Sequence, residues 1–256
     1  MSHTIMKRVA AGVLTAGAVA GMTLAVPGAA FAASSAADAA GSTSTVPPST
    51  PKCTPSLVSE AQQALQAALS GRVTQLDALQ SAAGNTANHL TPGDRQTLQN
   101  DITTTEIPGI QALQSQVQQA TTCPQLRAAA RAMVFDYRVY VVMTPQTHLT
   151  VVADDETFIE GQFAAFEPTI AQAITAAQDA GKNVTAAQAA FTDLKNQVAT
   201  AQSATAGQDT TVLAQTPQGA PGNWQVFLAA RTDLTNARND LRSAYTDGQQ
   251  IRTDLQ

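Results

Sequence analysis

Cysteine, histidine and aromatic residues are all scarce in this sequence, and each shortage removes a class of function. Two cysteines (Cys53, Cys123) and three histidines (His3, His89, His148) are spread too widely for a zinc site. No Glu-x-x-His pair recurs on facing segments, which excludes the di-iron type of helical centre. The G-x-S-x-G, H-E-x-x-H, P-loop and dinucleotide fingerprints are all missing, so no enzyme class finds support. Charged residues are few (13%), with 14 basic against 19 acidic side chains and no basic cluster. Such a chain is a poor partner for nucleic acid or for an anionic membrane surface.

Long apolar runs are also lacking, with one exception at the start. Lys7 and Arg8 precede an uncharged stretch from Val9 to Val26, and Ala30-Phe31-Ala32 follows with small residues at both recognition positions. Residues 1–32 therefore read as a secretory signal peptide cleaved before Ala33. With no twin arginine, no cysteine at the cleavage point and no hydrophobic tail, the expected product is secreted, with no membrane span after cleavage. It is then either released or held on the cell envelope. Residues 33–52 are small, polar and Pro-rich and read as a disordered spacer. That leaves 53–256 as the folded domain.

What remains is helical pattern. Thr54-Pro55 gives a cap and a first-turn proline, and Leu57, Ala61, Leu65, Leu69, Val73, Leu76 and Leu79 form one apolar stripe. Gly84 is placed to end this helix in the left-handed conformation. Thr91-Pro92 opens a second helix carrying Leu98, Ile102, Ile107 or Ile110, Leu113 and Val117, with a kink expected at Pro108-Gly109. Two antiparallel helices joined by a short loop bring Cys53 and Cys123 to the same end. A disulfide is the natural state there in an oxidising compartment, worth roughly 4 kcal/mol for a loop of that length.

A third helix begins at Pro124 and includes Met133–Met143, where bulky residues concentrate: Phe135, Tyr137 and Tyr140 fall within it. The run would also pass as a β-strand, but no second strand-like segment exists to pair with it. As a helix it is apolar on every side, which predicts a buried central element around which the others pack. Pro145 and Pro168 are expected to bend its continuation, which closes at Gly181-Lys182-Asn183. A further helix spans 184–206, and 207–223 forms a long connection.

The last helix has a seven-residue repeat from Arg231 (RTDLTNA, RNDLRSA, YTDGQQI, RTDLQ). Phe227, Ala230, Leu234, Ala237, Leu241, Ala244, Gly248, Ile251 and Leu255 make a coiled-coil seam, edged by Arg231, Arg238 and Arg252 on one side and Asp233, Asp240, Asp247 and Asp254 on the other. The seam can serve the chain's own bundle, the preferred reading, or a homodimer through residues 227–255. The fold class is all-α: an elongated antiparallel bundle of four to five long helices with coiled-coil packing and one disulfide.

Two polar groups are candidates for chemistry. Arg131, Asp136 and Arg138, with Tyr137, Tyr140 and His148, read as a buried polar network of structural rather than catalytic purpose. On that reading, Asp136→Ala costs about 3–5 kcal/mol. Asp154-Asp155-Glu156 with Glu160 could attract a divalent cation but lacks the spacing of a calcium loop, and reads as a solvated face. No catalytic, cofactor-binding or metal-ligating set is assigned.

The segment Asp136-Tyr-Arg-Val-Tyr-Val-Val-Met-Thr-Pro-Gln-Thr-His-Leu149 resembles a motif of secreted all-helical proteins of actinobacteria, "Y-R-V-Y-x-L-V-x-P-K-x-H-L" followed by A-A-D. Ala153-Asp154 stands for the latter, and Gln146 stands where the motif has Lys. The likeness extends to Gly181–Thr185 with the helix after it, and to the terminal Ala-Arg-x-Asp-Leu repeats. It implies an exported helical protein and brings no activity or cofactor with it. The expected function is a non-enzymatic structural or interaction protein of the envelope, whose partner is a cell-wall component or another envelope protein. The alternative is a bundle that binds a small hydrophobic or tetrapyrrole ligand, lined by Tyr137, Tyr140 and His148.

Overall fold

The computed structural model describes residues 53–256, so the expected signal peptide and spacer lie outside the described residues. Eight α-helices follow in order: α1 (Pro55–Gly84), α2 (Pro92–Asn100), α3 (Ile107–Gln119), α4 (Cys123–Phe135), α5 (Thr144–Asp179), α6 (Thr185–Thr205), α7 (Gln208–Leu213) and α8 (Asn223–Asp254). No strand occurs among the described residues.

The helix starts follow the sequence closely. The Thr54 hydroxyl accepts from Leu57 N–H, Thr91 accepts from Asp94 N–H, and the Gln125 side chain accepts from Thr122 N–H at the start of α4. The end of α1 differs from expectation. Gly84 is not left-handed; the positive-φ glycines among the described residues are Gly181 and Gly207. The loose carbonyls of α1 are taken instead by side chains. Arg95 donates to Ala83 (2.6 Å) and Asn85 (3.3 Å), and Asn88 donates to Ala82 (2.9 Å).

Prolines shape the two long helical runs in a shared way. Pro108 and Pro145 each occupy the second position of an α-helix, and each is preceded by a wide π-helical turn, Asp101–Glu106 and Val139–Met143. A proline inside an α-helix strands the carbonyl four residues earlier and clashes with it. The wider turn relieves both problems, since Ile107 N–H reaches Ile102 O and Thr144 N–H reaches Val139 O. Pro168 instead lies within an unbroken α5, where the carbonyl it frees belongs to exposed Ala164.

Packing makes two three-helix layers in tandem. In the first, α1 runs antiparallel to α2–α3, with Gln62 donating to Ala120 O (2.8 Å) and Gln66 to Gln114 O (2.6 Å). Helix α4 lies beside them, parallel to α1, and Leu69, Leu76, Ile110, Val117, Leu126 and Met133 fill the core. The Cys53–Cys123 disulfide closes the far end, with Cα atoms 5.9 Å apart. In the second layer α5 and α8 run parallel with α6 antiparallel between them. Val184 and Ala187 pack near Ile251 and Leu255, and Ala201 packs near Ala237 and Leu241. Lys182 completes that end by donating to Leu255 O (2.8 Å) and Gln256 O (2.9 Å) at the carbonyl terminus of α8. The α4–π-turn–α5 run is the spine common to both layers.

The seam of α8 is used inside the chain. Phe227, Ala230, Leu234, Ala237, Leu241, Ala244, Ile251 and Leu255 are all buried. Its charged edges also find partners within the chain: Asp233 accepts from Gln208 (3.0 Å), and Arg238 pairs with Glu156 on α5 (3.0 Å).

Candidate functional site

The sequence's central element and its polar network both need correction. Met133–Met143 is not one buried helix: α4 stops at Phe135, Asp136–Arg138 break the run, and the π-turn follows. Met133, Val139, Val142 and Met143 face inward, whereas Val134, Phe135, Tyr140 and Val141 are exposed. The stretch lies at the edge of the first layer, so only one side of it has anything to pack on. The proposed network disperses for the same reason. Arg131, Asp136, Tyr140 and His148 are exposed, Tyr137 and Arg138 are half-buried, and no ion pair joins any of them among the described residues.

What forms instead is a set of arginine–aromatic contacts. The Arg131 and Arg138 guanidinium carbons sit 5.5 and 5.2 Å from the Phe135 ring centre, and that of Arg72 sits 5.2 Å from the Tyr140 ring centre. Tyr137 is the inward exception. It lies over Gly109 so closely that a Cβ there would run into the ring. With Tyr140 and His148 on the surface, the aromatic lining expected for a ligand in the bundle core is not assembled.

The acidic stretch of α5 also departs from expectation, because it is not a solvated face. Asp154, Glu156 and Glu160 are buried and Asp155 is half-buried. The helix is covered on several sides, and each carboxylate meets a different neighbour. Asp155 accepts from His89 N–H (2.7 Å) and contacts the imidazole (3.0 Å), which stacks on Phe158 at 3.7 Å. Asp154 accepts from Thr91 N–H (2.7 Å). Burial pushes Glu156 up to about 7 in spite of Arg238, with Glu160 and Asp155 adding to the rise. Glu160 is raised as well, chiefly by burial, with the Thr205 hydroxyl beside it opposing.

The Asp154 and Asp155 contacts hold the α1–α2 loop, and with it the first layer, onto the second. Ala83, Leu90, Leu98 and Val151 form the apolar part of the junction. Its polar part includes Gln146, which is almost fully buried and donates to Leu213 O (2.9 Å) and Gln215 O (3.2 Å) at the carbonyl end of α7. A lysine there would supply the same donor to the same negative helix end. Of the motif residues, Asp154 holds the α1–α2 loop and Gln146 the end of α7, while Leu149 and Ala153 pack with Val212, Phe227, Ala230 and Leu234.

Asp154 also belongs to a trio with Asp94 and Asp209, whose carboxylate oxygens lie within 4.8 Å of one another. Carboxylates this close hold either a shared proton or a hard cation. Burial first, with Asp94 and Asp209 adding, raises Asp154 to about 6 against the opposing Thr91 N–H. Thr91 supplies donors to two of the three carboxylates, its N–H to Asp154 and its Oγ1 to Asp94 (2.7 Å). Sequence reading missed the trio because its members come from three separate segments. The one available signal was the Thr91-x-x-Asp94 spacing of a helix start.

No family model, curated protein or solved structure matches the chain.

Proposed function

We propose that this chain is a non-enzymatic, exported interaction protein of the cell envelope. It engages an acidic cell-wall component or envelope protein through the surface around residues 127–141. One observation carries the reading. Val134, Phe135, Tyr140 and Val141 are exposed, Arg131 and Arg138 lie over the Phe135 ring and Arg72 over the Tyr140 ring, and none of these arginines has a carboxylate partner among the described residues. Aromatic and arginine side chains in combination are what binding surfaces enrich, and an exposed apolar group of this kind is uncommon without a use.

Export is supported by the leader-like start of the sequence and by a disulfide, which persists in oxidising compartments. No helix among the described residues is long and apolar enough to cross a membrane. The likeness to actinobacterial secreted proteins points the same way, and the motif that carries it includes three residues of this surface, Arg138, Tyr140 and Val141.

Sedimentation with isolated cell walls tests the proposal. The purified mature chain is expected in the pellet, and the F135A/R131Q/R138Q variant in the supernatant with an unchanged melting temperature. A mature chain that stays in the supernatant, or a variant that pellets equally, overturns it.

A further inference from the structure

A second feature lies on the other layer. Between the first half of α5 and the middle of α8 runs a groove of about 170 Å³. Its floor is apolar: Leu149 and Leu234 are buried and Val152 is half-buried. Along its rim stand Arg231, Arg238 and Arg242, seven and four residues apart and so on one face of α8. Composition does not produce this grouping, since the chain has 14 basic against 19 acidic side chains.

The rim is left short of negative charge. Glu156 is the one carboxylate in ion-pair contact with the three arginines among the described residues, and it reaches Arg238 alone (3.0 Å). Arg231 and Arg242 are exposed and without such a partner there. Arg238 and Arg242 are like charges at the i, i+4 spacing, an arrangement that costs stability unless an anion relieves it. A guanidinium fork matches the two oxygens of a carboxylate, and an aliphatic floor matches a short apolar body. A cavity of roughly 150 Å³ holds a benzene ring, which sets the size of that body.

We propose that this groove binds a small amphiphilic anion, an aryl or short-chain alkyl carboxylate, with its head on Arg231 and its body on Leu149, Val152 and Leu234. The site is separate from the arginine–aromatic surface, so the two stand or fall independently.

The test is an amide-shift titration of the ¹⁵N-labelled mature chain with hexanoate, acetate and hexan-1-ol at neutral pH. Hexanoate is expected to shift the amides of Leu149, Val152 and Thr235 saturably. Acetate and hexan-1-ol should each bind at least about tenfold more weakly. The R231Q/R242Q variant changes two exposed side chains; it should melt as the parent does and lose at least about tenfold in hexanoate affinity. The inference is overturned if hexanoate gives no saturable shift, if acetate or hexan-1-ol binds as tightly, or if the variant binds hexanoate undiminished.

Discussion

Glu106 offers the sharpest check on the energetics. It sits in the first π-turn, 4% exposed, with Oε2 lacking a hydrogen-bond partner. Burial, and secondly the nearby Asp101, raise it from an ordinary 4.5 to about 7. A carboxyl held above its unfolded value favours the fold fully only when protonated in both states. That advantage persists below about pH 4.5 and is lost as pH rises through 7. At about 1.4 kcal/mol per unit, the displacement makes ionised Glu106 cost about 3 kcal/mol, most of it appearing between pH 5 and pH 8. Glu106→Gln removes the ionisation and keeps the shape. It should raise unfolding stability by about 3 kcal/mol at pH 8 and by less than about 1 kcal/mol at pH 5. For a domain of this size the pH 8 gain is a melting shift of roughly 6–12 °C. Urea unfolding of parent and variant at both pH values is the assay. A gain equal at pH 5 and pH 8, or none at pH 8, would show that the group is not ionised at a cost in the fold.

Further outcomes follow from other parts of the fold. Replacing both Cys53 and Cys123 with Ala opens a loop of 70 residues' separation, and should lower stability by about 4 kcal/mol in denaturant titration. Gly109→Ala drives a methyl into the Tyr137 ring, at an expected cost of about 1–3 kcal/mol; in a Tyr137→Ala background the same change should cost nothing further, and an undiminished cost there would refute the contact. Asp136→Ala, expected from sequence to be severe, should now change stability by no more than about 0.5 kcal/mol, because the side chain is exposed and unpaired.

The helices were legible because their signals are local. Thr54-Pro55 and Thr91-Pro92 mark helix starts wherever the chain goes, and the seam of α8 needs only its own spacing. The pairing of Cys53 with Cys123 followed from one short loop. The central stretch misled because a helix apolar on every side is buried only if something covers every side, and coverage is a property of neighbours. Val134, Phe135, Tyr140 and Val141 are each left about half exposed, while Asp154, Glu156 and Glu160, polar enough to suggest solvent, are covered by the α1–α2 loop, α8 and α6. The sites fared similarly. The Asp94–Asp154–Asp209 trio and the arginine groove each draw on segments far apart in the chain, and no spacing rule connects them.

The shared spine has a mechanical meaning. Helices α4 and α5, 13 and 36 residues long, amount to about 70 Å of helix. Cys53 lies at one end of the tandem layers and Leu255 at the other. A tension applied between those two points would load the helices along their axes and slide them past one another in shear, rather than peel them apart. The Cys53–Cys123 link would pass part of that load directly into the spine. A domain strung in this way would resist extension along the line from Cys53 to Leu255.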